Sequence, residues 1–129
     1  MARIKHIAIR TDNVEKTAMF YKEVFDLKQV GLGRNGVYLS DGHINLAILR
    51  RQPEIEGGDR VGIDHLGFKV DDVHETLSAL KHRGGEAITD PVSVIPTDPS
   101  HAQSYYEIKC VGPDGQVIDV SGSGWVGND

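Results

Sequence analysis

The 129-residue sequence has little of what several classes of protein require. Its single cysteine, Cys110, allows no internal disulfide, so we expect a reducing, cytoplasmic environment. It contains neither the ~18 consecutive apolar residues of a membrane span nor the apolar stretch of an N-terminal secretion signal, so we expect no membrane partner. A formal net charge of −5 argues against nucleic acid as a partner. Aromatic residues make up only 6% of the chain, which leaves few side chains to line a stacking groove.

What the sequence does contain is an internal repeat. KHIAIRTDNVEKT at residues 5–17 returns as DHLGFKVDDVHET at residues 64–76, with a histidine, His6 and His65, at the second position of each copy. In both copies alternating apolar residues predict a strand, and the following Asp and Asn residues predict the N-terminal cap of a helix. A repeat at a fixed offset indicates two copies of one structural unit.

The pattern predicts the same order of elements in each half. Helical spacing indicates helices over about 14–25 and 72–83, and shorter strand-like runs follow each helix. We therefore expect an α+β fold of two tandem βαβββ modules. The expected apolar stripes are Val14, Met19, Phe20 and Val24 in the first helix, and Val73, Leu77 and Leu80 in the second. The first cap is Asp12 or Asn13, and the second is Asp71 or Asp72.

We interpret the chain as a single domain, 1–129, with a polar and glycine-rich connection between its halves. Module 1 covers residues 3–50, the linker 51–61, and module 2 covers 62–122. The glycine-rich tail, 123–129, is expected to be flexible. Its Trp125 either docks on a partner subunit or anchors the tail locally.

The paired histidines suggest a metal site. If a pseudo-twofold axis relates the halves, His6 and His65 lie at equivalent places near that axis. The last strand, QVIDVSG, adds Asp119 on the face opposite Ile118 and Val120. Burying an unpaired carboxylate costs several kcal/mol, and a cation offsets that cost. Two imidazoles and one carboxylate form a three-ligand site that leaves positions open for substrate.

Simpler explanations exist for each of these residues. Duplication can build a fold without building a site, and a single histidine on a strand is usually a hydrogen-bonded core residue. A single aspartate late in a strand is usually a turn carboxylate. Two histidines at matched places in a repeat, together with an inward aspartate, favour the metal site over these explanations.

The motifs KHIAIRTDNVEKTAMFYKEVF, DHLGFKVDDVHETLSALKHRG and GPDGQVIDV resemble the vicinal oxygen chelate superfamily over residues 3–121. That superfamily includes glyoxalase I, bleomycin-resistance proteins, methylmalonyl-CoA epimerase and extradiol dioxygenases. The resemblance implies the glyoxalase/dioxygenase fold, in which two modules form a cupped, incomplete mixed β-barrel with the helices outside. It also implies metal ligands on the first and last strands of each module, here His6, His65 and Asp119.

The sequence departs from the family pattern at two places. The fourth ligand position falls on Ala47 by family spacing or on Leu46 by counting from the turns, and neither side chain binds metal. Asn45 is only a weak substitute, so the resemblance is to the facial triad of the dioxygenase module, which binds Fe(II) or Mn(II). Zn or Ni would be the metals of the lyase or isomerase branch. In ring-cleaving relatives a tyrosine stands where this chain has Lys109.

Lys109 and its neighbours on the strand YYEIKCV are the candidate catalytic residues. Alternation places Tyr105, Glu107 and Lys109 on the face opposite Ile108 and Cys110. Glu107 and Lys109 either form cross-strand ion pairs or move a proton beside a metal-bound substrate, and Tyr105 is expected to hydrogen-bond the substrate.

Two main functions of different kinds remain open, beside a third in which the chain is an assembly subunit with a vestigial site. The first is a metal-dependent enzyme that chelates a small molecule with two neighbouring oxygens, either a dioxygenase or a glyoxalase-like lyase or isomerase. The second is a bleomycin-resistance-type protein that sequesters a small molecule without catalysis. The resemblance also implies a homodimer. Retention of the His/His/Asp set favours the enzyme.

Overall fold

The computed structural model describes residues 1–33, 35–55, 57–88 and 107–127. The chain divides into two compact units. The N-terminal unit contains His6–Asp64 and Val126–Asp129, and the C-terminal unit contains Met1–Lys5 and His65–Trp125. Each unit corresponds to one of the predicted modules, except at the ends of the chain. The first five residues belong to the C-terminal unit, and the last four belong to the N-terminal unit.

The N-terminal unit is a four-stranded mixed sheet with one helix. Its strands lie in the order β2-β3-β4-β1, in which β1 and β4 are parallel and the other pairs antiparallel. The elements are β1 (Arg3–Thr11), α1 (Val14–Phe25), β2 (Lys28–Gly33), β3 (Gly36–Ser40) and β4 (Asn45–Arg50).

Helix α1 begins where the sequence predicts, but it packs with a different face. The side chain of Asn13 caps it by accepting a hydrogen bond from the backbone N–H of Lys16 at 3.0 Å. The predicted apolar stripe is wrong at three of its four positions, since Met19, Phe20 and Val24 are each more than half exposed. The residues packed against Leu39 and Ile48 of the sheet are Val14, Ala18 and Tyr21. Their spacing follows the helical period, whereas the prediction gave too much weight to side-chain size.

The C-terminal unit repeats the arrangement. Its strands lie in the order β5-β8-β7-β6, again with one parallel pair, β5 and β8. The elements are β5 (Gly62–Lys69), α2 (Val73–His82), β6 (Glu86–Ala87), β7 (Ile108–Val111) and β8 (Val117–Ser121). Asp72 caps α2 by accepting a hydrogen bond from the backbone N–H of Glu75 at 2.9 Å.

The core of the C-terminal unit fixes which face of its sheet carries the polar side chains. Val70, Ile108, Cys110 and Val120 form a buried cluster. The predicted apolar stripe of α2, which is Val73, Leu77 and Leu80, packs against this cluster. Two further residues of the sheet, Phe68 and Ile118, pack against it as well. Since side chains alternate along a strand, the residues between these apolar positions point to the opposite face of the sheet. That opposite face carries the candidate site.

The predicted fold class, α+β with two βαβββ modules, is confirmed by the order and pairing of these elements. The domain limits, the linker and the flexibility of the tail stay predictions. Neither α1 nor α2, the two helices of the described residues, has the length and apolar character needed to cross a bilayer.

Candidate functional site

The sheet register of the C-terminal unit brings His65, Lys109 and Asp119 together. Asp119 on β8 pairs directly with Lys109 on the antiparallel strand β7. On its other side Asp119 pairs with Gly67 on the parallel strand β5, and His65 lies two residues before Gly67 on the same face. From this position the imidazole of His65 reaches the carboxylate of Asp119 diagonally across the two strands.

Both carboxylate oxygens of Asp119 are in contact with nitrogen atoms. His65 Nε2 lies 3.0 Å from Oδ2, and Lys109 Nζ donates a hydrogen bond to Oδ1 at 2.6 Å. Asp119 is 0% exposed and His65 is 7% exposed, whereas the side chain of Lys109 is one-third exposed. A carboxylate removed from water in this way depends on its partners for stability.

These contacts determine the charge of Asp119. Burial raises its pKa, but the contact of Oδ2 with His65 Nε2 and the positive charge of Lys109 together outweigh burial. The net result is a pKa below the usual range of an aspartate, so Asp119 is ionised at neutral pH. It therefore offers the negative charge that a cation requires.

Glu107, just before the strand that carries Lys109, has the opposite shift. Burial and the negative charge of Asp119 raise the pKa of the Glu107 carboxyl to about 7. The indole Nε1 of Trp125 donates a hydrogen bond to Glu107 Oε2 at 2.8 Å, and Trp125 is itself only 4% exposed. Near neutral pH Glu107 therefore exchanges between its protonated and its ionised form beside an ionised aspartate.

In the N-terminal unit, His6 is held by Asn45. The two residues pair directly across β1 and β4, and His6 Nδ1 lies 2.7 Å from Asn45 Oδ1. The amide nitrogen of Asn45 donates to the carbonyl of Val126 at 2.8 Å, which identifies Oδ1 as the acceptor for His6. His6 therefore carries a proton on Nδ1, and Nε2 is the ring atom suited to ligate a metal.

Comparison of register between the two units identifies the fourth ligand position. His6 lies two residues before Ala8, which pairs with Ala47. His65 lies in the same relation to Gly67, which pairs with Asp119. The counterpart of Asp119 is therefore Ala47 rather than Leu46, and this position provides no ligand.

Two residues of the site have roles that the sequence does not assign to them. The sequence offers Asn45 only as a weak ligand, although it alternates with Ala47 on the strand and so shares the face of His6. Trp125 falls in the glycine-rich tail, and nothing in its local sequence indicates that it reaches Glu107. Tyr105 lies outside the described residues.

The donor set fits a divalent cation. Imidazole nitrogen suits Zn, Fe and Ni, carboxylate oxygen suits Mn and Fe, and a buried ionised carboxylate gains from a cation beside it. His65 and Asp119 are already in contact in the C-terminal unit. His6 lies in the N-terminal unit with Nε2 as its ligating atom.

Several solved structures have the same fold. A hypothetical protein, BH1468, from Bacillus halodurans C-125 is 18% identical with a TM-score of 0.69, and the match covers 93% of each chain. Streptomyces coelicolor methylmalonyl-CoA epimerase, solved as a single-residue variant in complex with 2-nitronate-propionyl-CoA, is 18% identical with a TM-score of 0.67, over 92% of this chain and 95% of the epimerase.

A third similar structure is the 2,3-dioxygenase LapB from Pseudomonas sp. KL28. It is 23% identical with a TM-score of 0.67, over 98% of this chain but only 42% of the dioxygenase. No curated protein is significantly similar to the chain. The sequence model of one family matches residues 3–120, nearly the full length. With two βαβββ modules and a match of this extent, the chain belongs to the Glyoxalase/Bleomycin resistance protein/Dioxygenase superfamily.

Proposed function

We propose that the chain is a divalent-metal-dependent enzyme that acts on a small molecule with two neighbouring oxygens. His6, His65 and Asp119 are the proposed ligands of one ion. The observation that carries the proposal is the fully buried, ionised Asp119 in contact with His65 Nε2. The matched positions of His6 and His65 on β1 and β5 support His6 as the third ligand.

When bound, a divalent ion supplies Lewis-acid chemistry by stabilising negative charge on the substrate oxygens. Fe(II) or Mn(II) suits the two-histidine, one-carboxylate set, and Zn or Ni are the other candidates. Ala47 in place of a fourth ligand leaves room for both substrate oxygens. The substrate class is therefore one with vicinal oxygens, such as a hydroxy ketone, a catechol or the thioester and carboxylate of an acyl-CoA.

The residues of the chain itself have distinct proposed roles. Glu107 is proposed to exchange a proton with substrate, while Trp125 donates to its Oε2 and holds the carboxyl in place. Lys109 supplies positive charge at the edge of the site, where its side chain is one-third exposed. Tyr105 is proposed to hydrogen-bond the substrate. Asn45 keeps the imidazole of His6 in the orientation and protonation state needed for metal binding.

A proton-carrying glutamate beside Asp119 favours proton transfer, the chemistry of the lyase and isomerase branch. The similar structures include both an epimerase and a dioxygenase, so both branches occur on this fold. Ring cleavage by a dioxygenase consumes O₂, whereas isomerisation does not, and oxygen uptake therefore distinguishes the two.

Sequestration of a small molecule without catalysis is the second candidate. The observation in its favour is the Lys109–Asp119 contact of 2.6 Å, because an ammonium group can neutralise the buried carboxylate without any metal. A protein of this type would bind its ligand equally well in the presence of a chelator. The homodimer and the cytoplasmic location stay predictions under either function.

Metal analysis of protein purified without added metal tests the proposal. We expect about one divalent ion per chain in the wild type and a loss of most of it in His65→Ala, because His65 is a ligand. His74→Ala is the matched control, since His74 is an exposed histidine of α2. Assays of oxygen uptake on catechols and of hydroxy ketone isomerisation then identify the branch. A wild type that takes up no divalent ion even from excess metal, yet binds a small molecule tightly, would instead establish sequestration.

A further inference from the structure

We infer that the ε-ammonium of Lys109 is an internal cation that competes with the divalent ion for Asp119 and so lowers the metal affinity of the site. The inference rests on the proposed function, because it concerns the same metal site. It assigns Lys109 the role of setting how much free metal is needed to load the protein, in addition to any contact with substrate.

The position of Lys109 is built into the sheet. Lys109 and Asp119 are paired directly across β7 and β8, and the apolar neighbours of both residues are held in the core beside α2. The base of the Lys109 side chain is therefore fixed next to Asp119, and in the metal-free protein its ammonium lies against the carboxylate. A flexible surface lysine would be able to move its charge away.

The charges at the carboxylate oppose the arrival of a second cation. Lys109 Nζ lies 2.6 Å from Oδ1, and the other oxygen, Oδ2, is the one in contact with His65. A divalent ion shared by His65 and Asp119 would bind Oδ2, on the same carboxylate as the ammonium. Both positive charges would then lie a few Å apart beside a carboxylate that water does not reach, where repulsion is weakly screened.

An opposite effect of Lys109 is also physically reasonable. A hydrogen bond that orients a ligating carboxylate strengthens metal binding, by roughly 10- to 100-fold for typical outer-shell partners. Asp119, however, is oriented by its place on a central strand and by its contact with His65 as well. The doubly charged ion also doubles the repulsion that a unit charge would feel from the ammonium. We therefore expect repulsion to exceed the gain from orientation.

The N-terminal unit indicates that the fold does not need a lysine at this place. By register, the counterpart of the Lys109–Asp119 pair is Tyr38–Ala47, a pair that carries no charge. Tyr38 is buried, yet β3 and β4 pair in the same way as β7 and β8. An uncharged side chain at position 109 is thus compatible with the backbone pairing of the sheet. Loss of the ammonium leaves the buried Asp119 with one partner fewer and lowers the stability of the metal-free protein, so circular dichroism first establishes that each Lys109 variant is folded.

Titration with Mn²⁺, with free ion measured by electron paramagnetic resonance, tests the inference. We expect Lys109→Met to bind Mn²⁺ roughly tenfold or more tightly than the wild type, because a charge-assisted hydrogen bond no longer competes. Lys109→Gln, a second variant without the charge, should shift in the same direction. Lys28→Met is the control for overall charge, since the side chain of Lys28 is 77% exposed and pairs with Asp26 at the surface.

The possible results separate the inference from the proposed function. If both Lys109 variants are folded and neither binds Mn²⁺ more tightly than the wild type does, the inference is overturned and the metal-dependent function is left standing. An equally large gain in Mn²⁺ affinity in Lys28→Met would also overturn the inference, since the gain would then be an effect of net charge. Absence of Mn²⁺ binding in the wild type and in both Lys109 variants would overturn the inference, and absence of Fe²⁺, Zn²⁺ and Ni²⁺ binding in the same proteins would overturn the proposed function with it.

Discussion

Asp119→Asn is expected to lower the affinity for Mn²⁺ by at least roughly 100-fold, more than the loss of an outer-shell partner causes. The asparagine side chain keeps the size of aspartate but loses the ionised carboxylate that the site provides at neutral pH. Isothermal titration calorimetry with Mn²⁺ measures the change. Any activity found for the wild type should fall with it, and excess metal should restore that activity only in part.

Asp114→Asn is the matched control for this substitution. Asp114 lies in the exposed turn between β7 and β8, so the variant makes the same chemical change outside the site. We expect its Mn²⁺ affinity to equal that of the wild type. Equal affinities for Asp119→Asn and the wild type would remove Asp119 from the set of metal ligands.

Glu107→Gln is expected to change how stability depends on pH in the metal-free protein. The ordinary pKa of the glutamate carboxyl, 4.5, is raised in the folded state to about 7, first by burial and then by the charge of Asp119. Between these two values the unfolded chain has lost its proton while the folded chain keeps it. The contribution of Glu107 to the free energy of unfolding of the wild type therefore falls as pH rises through this window and changes no further above it.

Glutamine has no proton that titrates in this range, so the variant lacks this decrease in the free energy of unfolding. We expect Glu107→Gln to gain roughly 2–3 kcal/mol in free energy of unfolding, relative to the wild type, between about pH 4 and about pH 8. Chemical denaturation in the presence of a chelator measures it at both pH values. The amide oxygen of glutamine still accepts the hydrogen bond from Trp125, so that contact is preserved.

Glu86→Gln is the control, because it removes the same charge from an exposed glutamate on β6. Its free energy of unfolding should change with pH in parallel with that of the wild type over this range. If Glu107→Gln also ran parallel to the wild type, the folded protein would hold Glu107 in the same protonation state as the unfolded chain. The stability measurements would then give no support to the proposed role of Glu107 in proton transfer.

The sequence predicts the fold well because its main signal is local and occurs twice. Each copy of the repeat combines strand alternation with a capped helix, and these patterns depend on neighbours along the chain. The faces of β7 and β8 follow from the same alternation, which places Lys109 and Asp119 opposite the core. To predict that His65 contacts Asp119, one must also assume that the first and last strands of the module are neighbours in the sheet.

Features that depend on tertiary contacts were not predictable in the same way. The buried face of α1 depends on which positions meet Leu39 and Ile48, and the large side chains Met19 and Phe20 lie outside it. The hydrogen bond between Asn45 and His6 requires the register of two strands that are far apart in sequence. Trp125 contacts Glu107 only because the chain turns back after β8.

The proposal as a whole depends on His6 joining His65 and Asp119 around one ion. X-ray absorption at the Mn edge, on Mn²⁺-loaded protein, counts imidazole ligands through their characteristic multiple scattering. We predict two imidazoles in the wild type and one in His6→Ala, with a matching drop in Mn²⁺ affinity. A single imidazole in the wild type, or the same spectrum for wild type and His6→Ala, would contradict a shared His/His/Asp site.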